Sequence, residues 1–133
     1  MVTIKMCTDI PQSKRLAEIL PLESADMRIG NYIGKSGKVD GTNVHYYTKG
    51  ESFGAPEIIE AWSLAALLEQ LPYELCDDDG NSSYLQINKE GDVYQLEYTD
   101  PYGDFESIET DRYEHFVDAC YEMILKLYEL KML

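Results

Sequence analysis

The sequence predicts an α+β fold: an antiparallel sheet, built from a hairpin and a three-stranded meander, carrying two short helices and one long C-terminal helix. Three observations predict it. Apolar residues recur at helical spacing in the last twenty positions, they alternate with period two between residues 84 and 108, and prolines and glycines punctuate the intervals between these stretches. At 133 residues the chain has the size of a single domain, taken here as 1–133.

Along the chain, residues 11–20 place Leu16, Ile19 and Leu20 at helical spacing with Pro21 as a stop. From 27 to 50, five glycines separate β-favouring pieces, which predicts a hairpin with a basic turn at 35–41. Residues 51–61, with Gly54 and Pro56, read as a connector. Ser63 caps a helix through Leu64, Leu67, Leu68 and Leu71 that Pro72 ends, and Trp62 is placed as a hydrophobic staple.

The polar turn 77–83 precedes three β-type runs, 84–88, 93–99 and 105–108, joined at Glu90-Gly91 and Asp100-Pro-Tyr-Gly103. Asp111-x-x-Glu114 offers a capping box for a helix from about Arg112 to Lys131, with Phe116, Val117, Cys120, Met123, Ile124, Leu127 and Leu130 as its apolar stripe.

Net charge is −14. Residues 1–50 hold seven basic and five acidic residues, whereas the remainder holds four basic and twenty acidic. So acidic a surface disfavours direct nucleic-acid binding. No run reaches the roughly 20 apolar residues of a membrane span, and residues 1–9 lack the apolar core of a signal peptide. The expectation is a cytoplasmic protein, its three cysteines (Cys7, Cys76, Cys120) reduced and without Cys-x-x-Cys pairing.

Four patterns touch on chemistry. Gly30-Asn-Tyr-Ile-Gly34-Lys35-Ser36 is one residue short of a phosphate-binding loop and has no helix to open. Leu75 to Gly80 resembles the start of a calcium loop, but Leu75 and Gln86 occupy positions that require carboxylates. On the last helix Asp111, His115, Asp118 and Glu122 follow one another at four, three and four residues, a weak candidate face for a transition metal that equally describes a solvated helix face. Nucleophilic catalysis has only His45 and His115 as imidazole bases, and Cys120 sits within the apolar stripe. No catalytic residue and no cofactor is assigned.

The segments Ala61-Trp-Ser-Leu-Ala-Ala-Leu-Leu-Glu-Gln-Leu-Pro72 and Val117-Asp-Ala-Cys-Tyr-Glu-Met-Ile-Leu-Lys-Leu127, with Ser13-Lys-Arg-Leu-Ala-Glu-Ile-Leu-Pro21 and Glu23-Ser-Ala-Asp26, resemble a group of small uncharacterised proteins of phages and integrated mobile elements of gut bacteria. The resemblance implies a genomic setting and no activity, cofactor or catalytic residue.

The leading functional expectation is a non-catalytic protein-binding module, with self-association between the basic hairpin of one copy and the acidic surface of another as one form. An acidic mimic of nucleic acid is the alternative. Glu90, Asp92, Glu97, Asp100, Asp104, Glu106, Glu109, Asp111, Glu114, Asp118 and Glu122 would supply its carboxylates. An enzyme is the third class, to be recognised by a pocket gathering His45 or His115 with acidic residues.

Overall fold

The computed structural model describes residues 4–51, 53–104 and 106–133. The fold is α+β, as predicted, but its strands form two antiparallel sheets rather than one. By internal contacts the chain divides into two compact units, residues 6–66 and residues 1–5 with 67–133. No helix among the described residues is long and apolar enough to cross a membrane.

In the unit 6–66, α1 (Ile10–Leu16) begins at Asp9, whose side chain accepts from the Gln12 N–H at 2.9 Å while the Gln12 side chain accepts from the Asp9 N–H at 3.1 Å. This reciprocal cap satisfies two backbone donors and sets the start. The helix is shorter than the predicted 11–20. After Leu16 the backbone tightens into turns, Glu18 N–H to Arg15 O and Ile19 N–H to Leu16 O, ahead of Pro21.

Strands β1 (Met27–Ile33), β2 (Val39–Thr48) and β3 (Glu57–Ala61) form a sheet in the order β2-β1-β3. The hairpin is as predicted, but its turn spans residues 34–38 rather than 35–41, because β2 already begins at Val39, the partner of Ile33. The strand β3 replaces the second half, 57–61, of the expected connector; Ser52 of that segment lies outside the described residues. Two acidic residues obscure its β pattern, and register explains them. Glu60 lies opposite Arg28, with the ion pair at 3.3 Å, and Glu57 lies opposite Asn31, whose side-chain amide donates to it at 2.9 Å.

One face of this sheet is core: Ile29, Ile59 and Ala61 are buried with Cys7, and Ile10, Met27 and Val44 pack around them. Trp62 is fully buried, its indole N–H donating to Ser24 Oγ at 2.9 Å. Its truncation to Ala would cost about 3–5 kcal/mol. Ser63 caps α2 (Leu64–Gln70) as predicted, accepting from the Ala66 N–H at 3.2 Å, and is itself bonded to the Asp26 carboxylate. The division between the units falls within this helix.

In the other unit β4 (Glu74–Cys76), β5 (Ser82–Glu90), β6 (Val93–Thr99) and β7 (Ile108–Glu109) form a sheet in that order. The meander is as predicted, with β4 added at one edge. Of the expected third run, Phe105 lies outside the described residues and the strand is Ile108–Glu109. α3 (Phe116–Glu129) packs on β6, with Val117, Cys120, Met123, Ile124 and Leu127 buried.

The predicted start of α3 at Arg112, capped by Asp111 and Glu114, is corrected. Tyr113 is held extended by two backbone hydrogen bonds with Tyr94, at 2.7 and 2.9 Å, so the helix cannot begin before that bridge ends. Its N-cap is His115, without a side-chain bond. At the other end the Met132 N–H donates to Leu127 O at 2.8 Å and Lys131 takes φ +59°, a left-handed closure usually given to glycine.

Candidate functional site

The predicted metal face is not assembled. Asp111 lies before the helix, its backbone N–H donating to Glu122 Oε2 at 2.9 Å. Asp118 pairs with Lys5 Nζ at 2.7 Å, and Glu122 approaches Lys126 Nζ at 4.0 Å while accepting from Tyr113. His115 occupies the cap position. The carboxylates of Asp118 and Glu122 are held by internal donors. Among the described residues no three His, Cys, Asp or Glu side chains form a group able to hold a metal ion.

The other short patterns resolve into turns and strand. Residues 30–33 belong to β1, and Ser36 donates to Asp40 Oδ2 at 2.7 Å within the hairpin turn. With Thr42 and Ser36 donating to it, the Asp40 carboxyl is drawn down to about 2. The Asp77 carboxylate accepts from the backbone N–H groups of Asp79 and Asn81 and from the Asn81 amide, so its oxygens close the loop themselves and its pKa falls below the usual range. Burial pushes the Cys120 thiol up to about 12, which keeps it protonated and inert.

The acidic array is partly consumed by the fold. Asp100 accepts from the backbones of Tyr102 and Asp104, Glu97 from the Asn88 amide, and Glu90 lies 3.6 Å from Arg112. Asp118 and Glu122 are likewise engaged by local partners.

The most developed surface lies on the sheet of the unit 6–66, on the face opposite its core. Cross-strand partners share a face: Gly30 stands between His45 and Ile58, Arg28 between Tyr47 and Glu60, and Tyr32 opposite Asn43. Since Gly30 has no side chain, the rings of Tyr32 and Tyr47 close over it. A Cβ there would sit 2.9 Å from a carbon of each ring and 3.2 Å from Ala55 Cβ.

The two tyrosine hydroxyls are 2.8 Å apart, and Tyr32 donates to the Phe53 carbonyl at 3.1 Å. The contact between the hydroxyls holds the Tyr32 hydroxyl above its ordinary pKa. His45 meets the Tyr32 ring edge-on at 5.1 Å and stacks towards Tyr47 at 6.4 Å, while Phe53 lies 5.2 Å from Tyr47. Phe53 is 74% exposed and has φ +38°, a left-handed conformation a phenylalanine adopts only at a cost.

In the second unit a groove of about 690 Å³ is lined by Ile108, Leu130 and Met132, by four acidic residues including Glu106 and Glu129, and by Lys126. A smaller cavity of about 210 Å³ lies beside Tyr94 and Arg112. Neither has a histidine in its lining.

Compared with protein-family models, with curated proteins and with solved structures, the chain matches none.

Sequence reasoning placed residues 27–50 in a hairpin and missed the cluster. The available signal was the spacing of two within Gly30/Tyr32 and His45/Tyr47, which puts all four on one face once the hairpin register is known. Phe53 carried no such signal, because its position depends on loop backbone.

Proposed function

We propose that the chain is a small, acidic, non-catalytic protein-binding module of phage or mobile-element origin, acting in the cytoplasm. Its contact face is the aromatic surface formed by Tyr32, His45, Tyr47 and Phe53. The origin rests on the resemblance of the helical segments and the compartment on three widely spaced cysteines without Cys-x-x-Cys spacing.

A single observation carries the reading: Phe53 is held exposed, in a left-handed backbone conformation, beside two hydrogen-bonded tyrosines on a sheet face. Stability alone would favour glycine at such a φ and a polar side chain at such exposure. An aromatic retained against both preferences is explained by contact with something else. Tyrosines with fixed rings and polar tips supply large contact area at low entropic cost, as protein interfaces do.

Phe53→Gly separates binding from folding. It relieves the backbone and is expected to leave the unfolding midpoint unchanged or raised, while a partner retained by the immobilised wild type is lost. His45→Ala, at an exposed position, is expected to weaken the same retention. Equal retention of that partner by wild type and both variants, or no protein retained by the wild type from its host, overturns the proposal.

A further inference from the structure

We propose that the turn of the β1–β2 hairpin of one copy seats in the groove of the second unit of another copy, so that the protein self-associates head to tail. The turn has the shape of a knob. Ile33 and Val39 are cross-strand partners, 57% and 38% exposed, and so form one apolar tip. Lys35 and Lys38 flank it, both exposed. At Gly37, φ is +81° and a side chain would meet nothing within 4 Å, so the turn projects into open space.

The groove has the converse pattern. Beside its apolar lining of Ile108, Leu130 and Met132 stand four acidic residues, Glu106 and Glu129 among them, and one cation, Lys126, itself 4.0 Å from Glu122; Leu130 is 55% exposed. Its unit carries seventeen acidic against five basic residues, while the unit bearing the knob carries eight against six. An apolar tip between two lysines therefore matches an apolar floor between carboxylates in both hydrophobicity and charge. The volume lies within the range of sites that enclose small ligands, sufficient for two aliphatic side chains.

A second copy is the occupant favoured here because the chain itself carries the complementary segment. The contact uses different surfaces on its two sides, so it does not close by two-fold symmetry, and mass is expected to grow beyond the dimer. It uses neither Tyr47 nor Phe53, and thus stands or falls separately from the aromatic contact face.

Sedimentation of the full chain over about a hundredfold range of concentration tests the proposal. The wild type is expected to gain mass with concentration. Lys35→Glu with Lys38→Glu reverses the knob, and Glu106→Lys with Glu129→Lys reverses the rim. All four positions are exposed, so folding is kept. Each double variant alone is expected to associate about tenfold or more weakly. An equimolar mixture is expected to recover association, because each reversed surface then meets its complement. A wild type that stays monomeric throughout, self-association indifferent to both reversals, or a mixture that fails to recover overturns the proposal. A groove occupied instead by a foreign basic peptide would give the first of these results.

Discussion

Tyr32 and Tyr47 join hydroxyls at 2.8 Å above Gly30, the strand position whose missing side chain lets their rings meet. The arrangement ties the hairpin to the Phe53 loop, since Tyr32 also donates to the Phe53 carbonyl. Gly30→Ala would insert a methyl group against both rings and Ala55. The expected cost is about 1–3 kcal/mol, as for overpacking in a filled site. Tyr47→Phe keeps the ring and removes the hydroxyl contact, at about 0.5–1.5 kcal/mol. Urea unfolding midpoints of the two variants check the order, with Gly30→Ala the more damaging.

Glu97 and Glu109 lie directly opposite each other on β6 and β7, like charges on one sheet face. Opposed like charges destabilise an antiparallel pair, and Asn88 donates to only one of the two, Glu97. Glu109→Gln is expected to stabilise the fold by about 0.2–1 kcal/mol. The gain should shrink as salt is added, because Glu109 is exposed and Glu97 only half-buried, so the repulsion is partly screened. A lower melting temperature in the variant would contradict this.

The three thiols are unequal. Cys76 is exposed on β4, Cys7 is 3% exposed, and Cys120 is fully buried with its ionisation suppressed. Thiolate, not thiol, reacts with an aromatic disulfide reagent. One equivalent, at Cys76, is expected to react promptly in the native protein, and the other two only in denaturant. Cys76→Ser should abolish the prompt phase.

Much of this fold was legible from local pattern, and what escaped depended on long-range pairing. The stripe from Phe116 to Leu127 marked α3, and alternation marked the strands of the meander; β6 buries Leu96 and Tyr98 as the pattern implies, whereas on β5 Leu85 is half-buried and Ile87 is exposed. β3 was hidden because Glu57 and Glu60 read as loop until Asn31 and Arg28 are known to stand opposite. The same cause misplaced the start of α3: Asp111 and Glu114 make a plausible cap, but Tyr113 bridges to Tyr94, nineteen residues earlier. The aromatic surface was invisible for a stronger version of that reason, because it needs the register of β1 on β2 and the left-handed backbone at Phe53 together.

Tyr98 couples the meander to alkaline stability. Its ring is fully buried and its hydroxyl donates to Pro72 O at 2.6 Å. Burial first, and then the neighbouring Cys120, holds its pKa well above the ordinary tyrosine value of about 10. A raised folded-state pKa means that the folded state keeps its proton where the unfolded state loses it. This contribution is therefore complete below about pH 10 and declines as the pH rises above it towards the folded-state value. Tyr113, raised to about 12 mainly by burial and then by its hydrogen bond to Glu122, acts in the same direction. Native absorbance titration is expected to show these two tyrosines ionising well above pH 10, with Tyr98 ionising together with unfolding. Tyr98→Phe leaves the Pro72 carbonyl without its donor and should lower stability at neutral pH by about 1 kcal/mol. The same variant loses one ionisable group, so its stability should fall less steeply than that of the wild type between about pH 10 and 12. Parallel stability curves for the two proteins across that window would show that Tyr98 does not carry the coupling.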